Sequence, residues 1–354
     1  SIWVFCLLAS IQVGLMGRLG IPKTTEIVTA QQLGGFFMYT IFGLWMARRH
    51  LYDVIRKAIG RADEIDDSSE FFSYRTAMTG VVVGIIYMFS FLISMGMSFA
   101  AAAALLVTCM LLFIGVTRLV AEAGLIYLDL PYNAHEFTVF SFGSANLNRA
   151  DLTVLTLSQT FSRNWRTLGM VAMAHVNKVG DEIGGARRGI FPTIILALII
   201  AATISVVYTI FLGYNTTGAD GFTDAFGNAK RGFETLATWI TNQTQLTGGE
   251  YAGLGIGALI AWLLILAHHS FHWWPLHPIG WAVAQTWAIT MIASSVFIVW
   301  LTKALILKLG GTKLYQKAQP FFIGMLVGYV LGVTISYCVD IVWFPNSGHI
   351  VETW

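Results

Sequence analysis

Two apolar runs without a single charged residue, Ala252–Ala267 and Pro278–Leu301, flank the polar-aromatic connector His268-His269-Ser270-Phe271-His272-Trp273-Trp274-Pro275-Leu276-His277. An uncharged run of about 20 residues is long enough to cross a hydrocarbon core as a helix. Trp273 and Trp274 are amphipathic rings of the kind that settle at a membrane–water boundary. Pro275 and Pro278 cannot sit comfortably inside a helix, so the connector is a break. A chain built this way reads as a polytopic membrane protein.

The composition agrees. Only 11% of the 354 residues are charged and 56% are hydrophobic, with a mean hydropathy of +0.68. Soluble domains carry roughly 25% charged residues. The net charge of +2 sits in short loops between apolar runs, so it gives no reason to expect a nucleic-acid partner. Cys6, Cys109 and Cys338 lie in apolar spans and read as small buried hydrophobes rather than a disulfide framework. The chain enters directly on the apolar run Ile2–Met16, with no basic leader and no small-residue cleavage site. That start reads as the C-terminal part of a longer chain.

The expected fold is all-α: one transmembrane helical bundle over residues 1–354, with about eight spans plus re-entrant or interfacial helices. The spans are 1–16, 27–47, 76–93, 97–117, 190–212, 252–267, 278–301 and 321–339. Lipid is as apolar as leucine, so small residues that let backbones approach are expected to hold the helices together. Gly80 and Gly84 in one span, and Gly324, Gly328 and Gly332 in the last, mark the candidate packing faces. Gln31 and Gln32 are expected to hydrogen-bond a neighbouring helix.

Residues 48–75 hold six basic side chains (Arg48, Arg49, Arg56, Lys57, Arg61, Arg75), which places this loop on the cytoplasmic side. Arg118 with Arg187 and Arg188, and then Lys303, Lys308, Lys313 and Lys317, claim the same side. These three claims conflict. If 118–188 crosses an even number of times, the next three spans put the lysines opposite. Either 118–188 hides a crossing, or 252–280 is a re-entrant pair.

The segment 118–188 does not read as ordinary spans. Arg118 and Glu122 are one helical turn apart and can pair, after which Gly124 and Pro131 break the helix, with Asp129 between them. A charged half-helix ending at membrane depth is tolerated only against protein or a water-filled cavity, and transporters build sites from such helices. The plainer reading is a solvated ion pair capping a cytoplasmic end. Residues 168–183 alternate apolar and charged positions in the manner of an interfacial helix. Residues 214–251 read as a polar loop with two glycosylation-like triplets, Asn215-Thr-Thr and Asn242-Gln-Thr, a pattern common by chance.

The candidate residues for substrate contact or proton relay are Arg118, Glu122, Asp129, His272 and His277. His268 and His272, four apart, are weak candidates for a metal or a chlorin magnesium, with no carboxylate or cysteine beside them to complete a shell. Histidines beside tryptophans are also ordinary interface anchors. No protease, esterase or phosphate-loop motif occurs, so enzymatic activity is not expected and the residues name no cofactor.

Three blocks carry a resemblance: Arg118-Leu-Val-Ala-Glu122-Ala-Gly124-Leu, then Trp274-Pro-Leu-His277-Pro278-Ile-Gly280, then Gly310-Gly311-Thr-Lys-Leu-Tyr315 followed by Pro320-Phe-Phe-Ile-Gly324. Together they resemble a bacterial polytopic membrane family that is distantly similar to the oligopeptide transporter superfamily, over its C-terminal portion. The resemblance implies an inner-membrane protein and a secondary transporter for a peptide-like or chelate solute, with proton coupling. The alternative is a non-transporting subunit of a larger membrane complex, pigment- or lipid-binding. Expected partners are membrane lipid, a small solute, and other membrane subunits or further copies of the chain.

Overall fold

The computed structural model describes residues 1–62, 64–67, 70–124, 130–162, 169–183, 187–215 and 223–344. Among these there are thirteen α-helices and no strand: α1 (Ile2–Arg18), α2 (Thr24–Ala58), α3 (Tyr74–Ser94), α4 (Phe99–Ala123), α5 (Ala134–Phe142), α6 (Arg149–Leu157), α7 (Gln159–Ser162), α8 (Gly169–Ile183), α9 (Arg187–Asn215), α10 (Thr223–Thr241), α11 (Gly248–Ser270), α12 (Pro278–Val283) and α13 (Trp287–Trp343). Six are long and apolar enough to cross a membrane: α2, α3, α4, α11, α13 and the Phe191–Phe211 part of α9. α1 is apolar but shorter. The chain divides into two compact units, Ser1–Met291 and Ile292–Trp354.

The first unit is organised on α2 and α11, which pack along their length. Built on Gly253, a Cβ would lie 2.8 Å from the Ile27 carbonyl oxygen, and on Gly257 it would lie 1.7 Å from that of Gln31. Both helices ascend together through these contacts, so they run parallel. Gly34 answers from the other side, with the Leu254 carbonyl oxygen 2.0 Å from where its Cβ would be. Backbone meets backbone here because neither wall carries a side chain, which is how helices associate without a hydrophobic driving force. Gly115 of α4 leaves room in the same way for Phe36 and Thr40 of α2.

This is not where the glycine stripes point. Nothing lies within 4 Å of a Cβ built on Gly80, Gly84, Gly324, Gly328 or Gly332. Packing within the chain rests instead on Gly34, Gly35, Gly115, Gly253 and Gly257. The expectation failed because four-residue glycine spacing marks a smooth face without saying which face has a neighbour. The predicted role of Gln31 and Gln32 does hold. Gln12 Nε2 donates to Gln31 Oε1 at 3.0 Å, and the Gln285 backbone N–H donates to Gln32 Oε1 at 2.9 Å.

The short helices form a layer at the end of the unit where α2 and α11 begin. Asp151 of α6 accepts from the backbone N–H of Ser98, the residue before α4, at 2.6 Å. The Ser144 N–H donates to the Thr244 carbonyl, and the Tyr251 hydroxyl to the Ser141 carbonyl. His135 bonds Ser162 at 2.9 Å and faces Trp239 of α10. Much of what reads as a polar loop at 214–251 is therefore the helix α10, whose buried Gly232 and Trp239 lie two turns apart on one face. Few apolar residues line that face, which hides its period. At the opposite end the rings of Phe72 and Phe191 meet edge to face at 4.4 Å, so the loop 59–73 and the start of α9 share a side. The chain leaves α4 at that end, reaches the short-helix layer and comes back before α9. The end of α4 and the start of α9 thus lie on one side, and α11, at 23 residues, is long enough to span without being re-entrant.

Two expected spans take other forms. The run Pro278–Leu301 is interrupted at 284–286, between α12 and α13. α13 carries on through the run 321–339 and kinks at Gly311, whose φ of 62° and ψ of −160° are non-helical and suit glycine alone.

Candidate functional site

Tyr39 lies twelve residues beyond Ile27, so about 18 Å along α2 from the start of its apolar run. It is 1% exposed. An arginine meets it there. Arg118 of α4 donates from Nη1 to the Tyr39 carbonyl at 2.9 Å, and its guanidinium lies 4.3 Å from the centre of the Tyr39 ring. Gly43, one turn further on, makes room for it: a Cβ there would come within 1.9 Å of Nη1. Its Nε faces Glu122 Oε2 at 3.3 Å, the one-turn pair that the spacing predicts.

Glu122 gathers three partners. Besides Arg118, the Tyr39 hydroxyl donates to Oε2, and His277 Nε2 stands 3.7 Å from Oε1. Glu122 stands at the end of α4, where Gly124 adopts φ 66° and terminates the helix. His277 caps α12, its Nδ1 accepting from the Ile279 N–H at 3.3 Å while Nε2 turns to Glu122. Pro278 at the first helical position lacks the N–H that a cap would otherwise have to satisfy. The break at 271–277 thus does local work: it ends α11 and aims an imidazole back at α4.

The cluster sets a guanidinium against a carboxylate beside the end of α4. The Arg118, Glu122 and His277 side chains are 28%, 40% and 32% exposed, so it is not sealed. His277 sits against His268 of α11, ring centres 4.7 Å apart. Burial first, and then the neighbouring His268, pushes the His277 imidazole below its ordinary pKa, with Glu122 pulling the other way and Arg118 adding weaker downward pressure.

Of the residues singled out from sequence, the structure brings together Arg118, Glu122 and His277. Asp129 lies outside the described residues. His272 is not part of the cluster. α11 ends at Ser270 and Phe271 is extended, so His268 and His272 do not share a helix face as their spacing suggests. Among the described residues no three His, Cys, Asp or Glu side chains are placed to hold a metal ion. Sequence reasoning missed Tyr39, Gly43 and the role of His268 beside His277. The one available signal was a lone tyrosine in an otherwise apolar stretch of α2. A hollow of about 530 Å³ on α11, lined by Ile260, Leu264, Phe271 and Trp274 among others, has almost wholly apolar walls and offers nothing for charge recognition.

The match to known families runs over nearly the whole chain, residues 1–351, and is to a family of unknown function (DUF6785). The chain belongs to the DUF6785 family. Every residue of the Tyr39–Arg118–Glu122–His277 cluster lies inside the matched region of this DUF6785 chain. No curated protein and no solved structure matches it.

Proposed function

We propose that this DUF6785 chain is a proton-coupled secondary transporter, with Arg118, Glu122 and His277 as its solute and proton site. One observation carries the reading. An arginine, a carboxylate and an imidazole, drawn from two non-adjacent parts of the chain, converge on a buried tyrosine of the span-length helix α2. Arg118 and Glu122 come from the last turns of α4, and His277 from the cap of α12. Ionisable groups are costly inside a membrane and are kept there for a purpose such as ion or proton passage. Discontinuous helices are the usual frame for such sites. The resemblance to the oligopeptide transporter superfamily supports a peptide-like or chelate solute. Eight crossings would follow from counting α1 and the two parts of α13 on either side of Gly311, and the basic residues of 48–75 support putting the end of α2 on the cytoplasmic side of a bacterial inner membrane.

The test is uptake into proteoliposomes under an imposed inward proton gradient, with a peptide mixture as solute. Accumulation that the gradient drives and that Glu122→Gln removes supports the proposal. Uptake indifferent to Glu122→Gln takes the carboxylate out of the mechanism.

A second reading has its own observation. The most apolar part of α9, Phe191–Phe211, is nowhere buried within the chain, and α3 is nearly as bare. Such faces suit a non-transporting subunit covered by other membrane proteins, lipid or pigment. Purification from native membranes decides: constant stoichiometry with another subunit, or a visible absorption band, favours the subunit.

A further inference from the structure

Glu122 occupies the position on Arg118 that a carboxylate from outside the protein would take. Arg118 is held on three sides by fixed groups: the Tyr39 ring beneath it, the Tyr39 carbonyl on Nη1, and the slot left by Gly43. The carbonyl and the slot belong to the backbone of α2, and the ring is buried against it. The fourth contact is different. Glu122 is the last acidic side chain before the helix ends at Gly124, and it reaches Arg118 through Nε alone, at 3.3 Å. Among the described residues no acceptor reaches Nη2. A guanidinium offers its best face to a carboxylate as a two-pronged fork, and here that fork is only half used.

Resting on the transport reading above, we infer that the solute carries a carboxylate, and that it displaces Glu122 from Arg118 as Glu122 takes up a proton. The exchange is balanced. One solute carboxylate arrives on Arg118 and one proton arrives on Glu122 Oε1, the oxygen that faces His277, so the site's net charge does not change. When the solute departs, Glu122 gives up the proton and returns to Arg118. The groups facing Glu122 are Tyr39 from α2, Arg118 from α4 and His277 from the connector, with His268 of α11 behind His277. Tyr39 keeps donating to whichever oxygen remains, and His277, 3.7 Å from Oε1, is the route by which the proton comes and goes. Neither binds the solute.

The exchange predicts a linkage that needs no knowledge of the physiological solute. The probes are N-acetylalanine and its primary amide, which differ only in the charged group. Binding to the full chain in detergent is followed by calorimetry, with proton uptake read from an indicator dye in weak buffer. The acid should bind with uptake of about one proton, so its affinity falls about tenfold per pH unit between pH 5.5 and 7.5. The amide should bind at least tenfold more weakly at pH 5.5. Glu122→Gln, which carries no charge to compete, should bind the acid at least tenfold more tightly than the wild type at pH 7.5, with no proton uptake and no pH dependence. His277→Gln should leave the uptake in place.

Equal binding of acid and amide, or acid binding without proton uptake in the wild type, overturns the inference without any variant. Uptake lost in His277→Gln but kept in Glu122→Gln overturns the assignment to Glu122. Proton-driven accumulation of a solute without a carboxylate would leave the transport reading standing and this one refuted.

Discussion

Gly257→Ala tests whether the parallel pair α2–α11 holds the first unit together. The new Cβ would stand 1.7 Å from the Gln31 carbonyl oxygen and 2.4 Å from its carbonyl carbon, where ordinary contact begins at 3.4 Å. The clash is with backbone on both sides, so no side chain can swing away and the helices must part by more than 1 Å. Parting them also strains the hydrogen bond from Trp281 Nε1 to the Gly257 carbonyl, now 3.3 Å, and with it the seat of α12. Overpacking of this kind costs about 3 kcal/mol at the upper end of the usual range. Alanine returns up to about 1 kcal/mol through its better helix propensity. The net is about 2 kcal/mol of destabilisation, or a fall of roughly 4 °C in Tm if 1 kcal/mol is worth about 2 °C in a chain of this size. Gly255→Ala is the matched control: the same helix, two residues away, with nothing within 4 Å of the added carbon. It should be neutral or slightly stabilising. Thermal unfolding of both variants in one detergent decides, and equal Tm values would refute the close parallel packing of α2 on α11.

Three further outcomes follow from the same geometry. Asp151, 2% exposed, accepts from the Ser98 N–H at 2.6 Å and from the Asn148 N–H at 3.4 Å. Asp151→Ala should cost about 1–3 kcal/mol, read as a lowered Tm, with Asp151→Asn milder because one acceptor oxygen remains. Gly43→Ala puts a carbon where Arg118 Nη1 lies, and since a guanidinium can move, Tm should shift by less than about 1 kcal/mol in equivalent stability while proton-coupled uptake falls at least tenfold. Because the folded His277 binds its proton less readily than the ordinary value of 6.5, the unfolded chain takes up protons first as pH falls. His277 therefore costs the fold nothing above that value and destabilises it as pH drops below, so Tm measured from pH 7.5 down to 5 should fall less steeply in His277→Gln than in the wild type.

The helical, membrane-spanning class was legible because it depends on runs of residue type alone, and those runs are long. The Arg118–Glu122 pair was legible for a similar reason: a one-turn spacing is local. Tyr39 and His277 were of another kind. Their meeting with Glu122 depends on α2 lying against α4 and on where the connector 271–277 turns, and neither is written in any local spacing. The helix face expected to be shared by His268 and His272 is lost at the helix end at Ser270, five residues before the Pro275 that marks the break in the sequence. The glycine stripes at 80–84 and 324–332 show the converse error. Their spacing is as regular as that of Gly253 and Gly257, yet of the pairs in the first unit Gly80 and Gly84 face nothing within 4 Å while Gly253 and Gly257 meet α2.

The parallel direction of α2 and α11 constrains the path between them. Two parallel crossings must be separated by an odd number of others, and the span-length helices between them are α3, α4 and α9, with the short-helix excursion from α4 to α9 counting as an even return. The count closes if an even number of α5 to α8 are spans, and their 4 to 15 residues agree with none. It also removes the first half of the charge conflict. The basic loop 48–75 and the start of α9 lie at the end where α2 and α11 finish, on the same side as Phe72 and Phe191. Tyr39 stands twelve residues into the apolar run of α2 and eight from its close at Ala47, so the Glu122 cluster lies nearer that basic end. If the proposed exchange operates and the positive-inside rule orients the chain, a proton leaving Glu122 by way of His277 has the shorter path to the basic side, the direction in which an inward gradient would drive it.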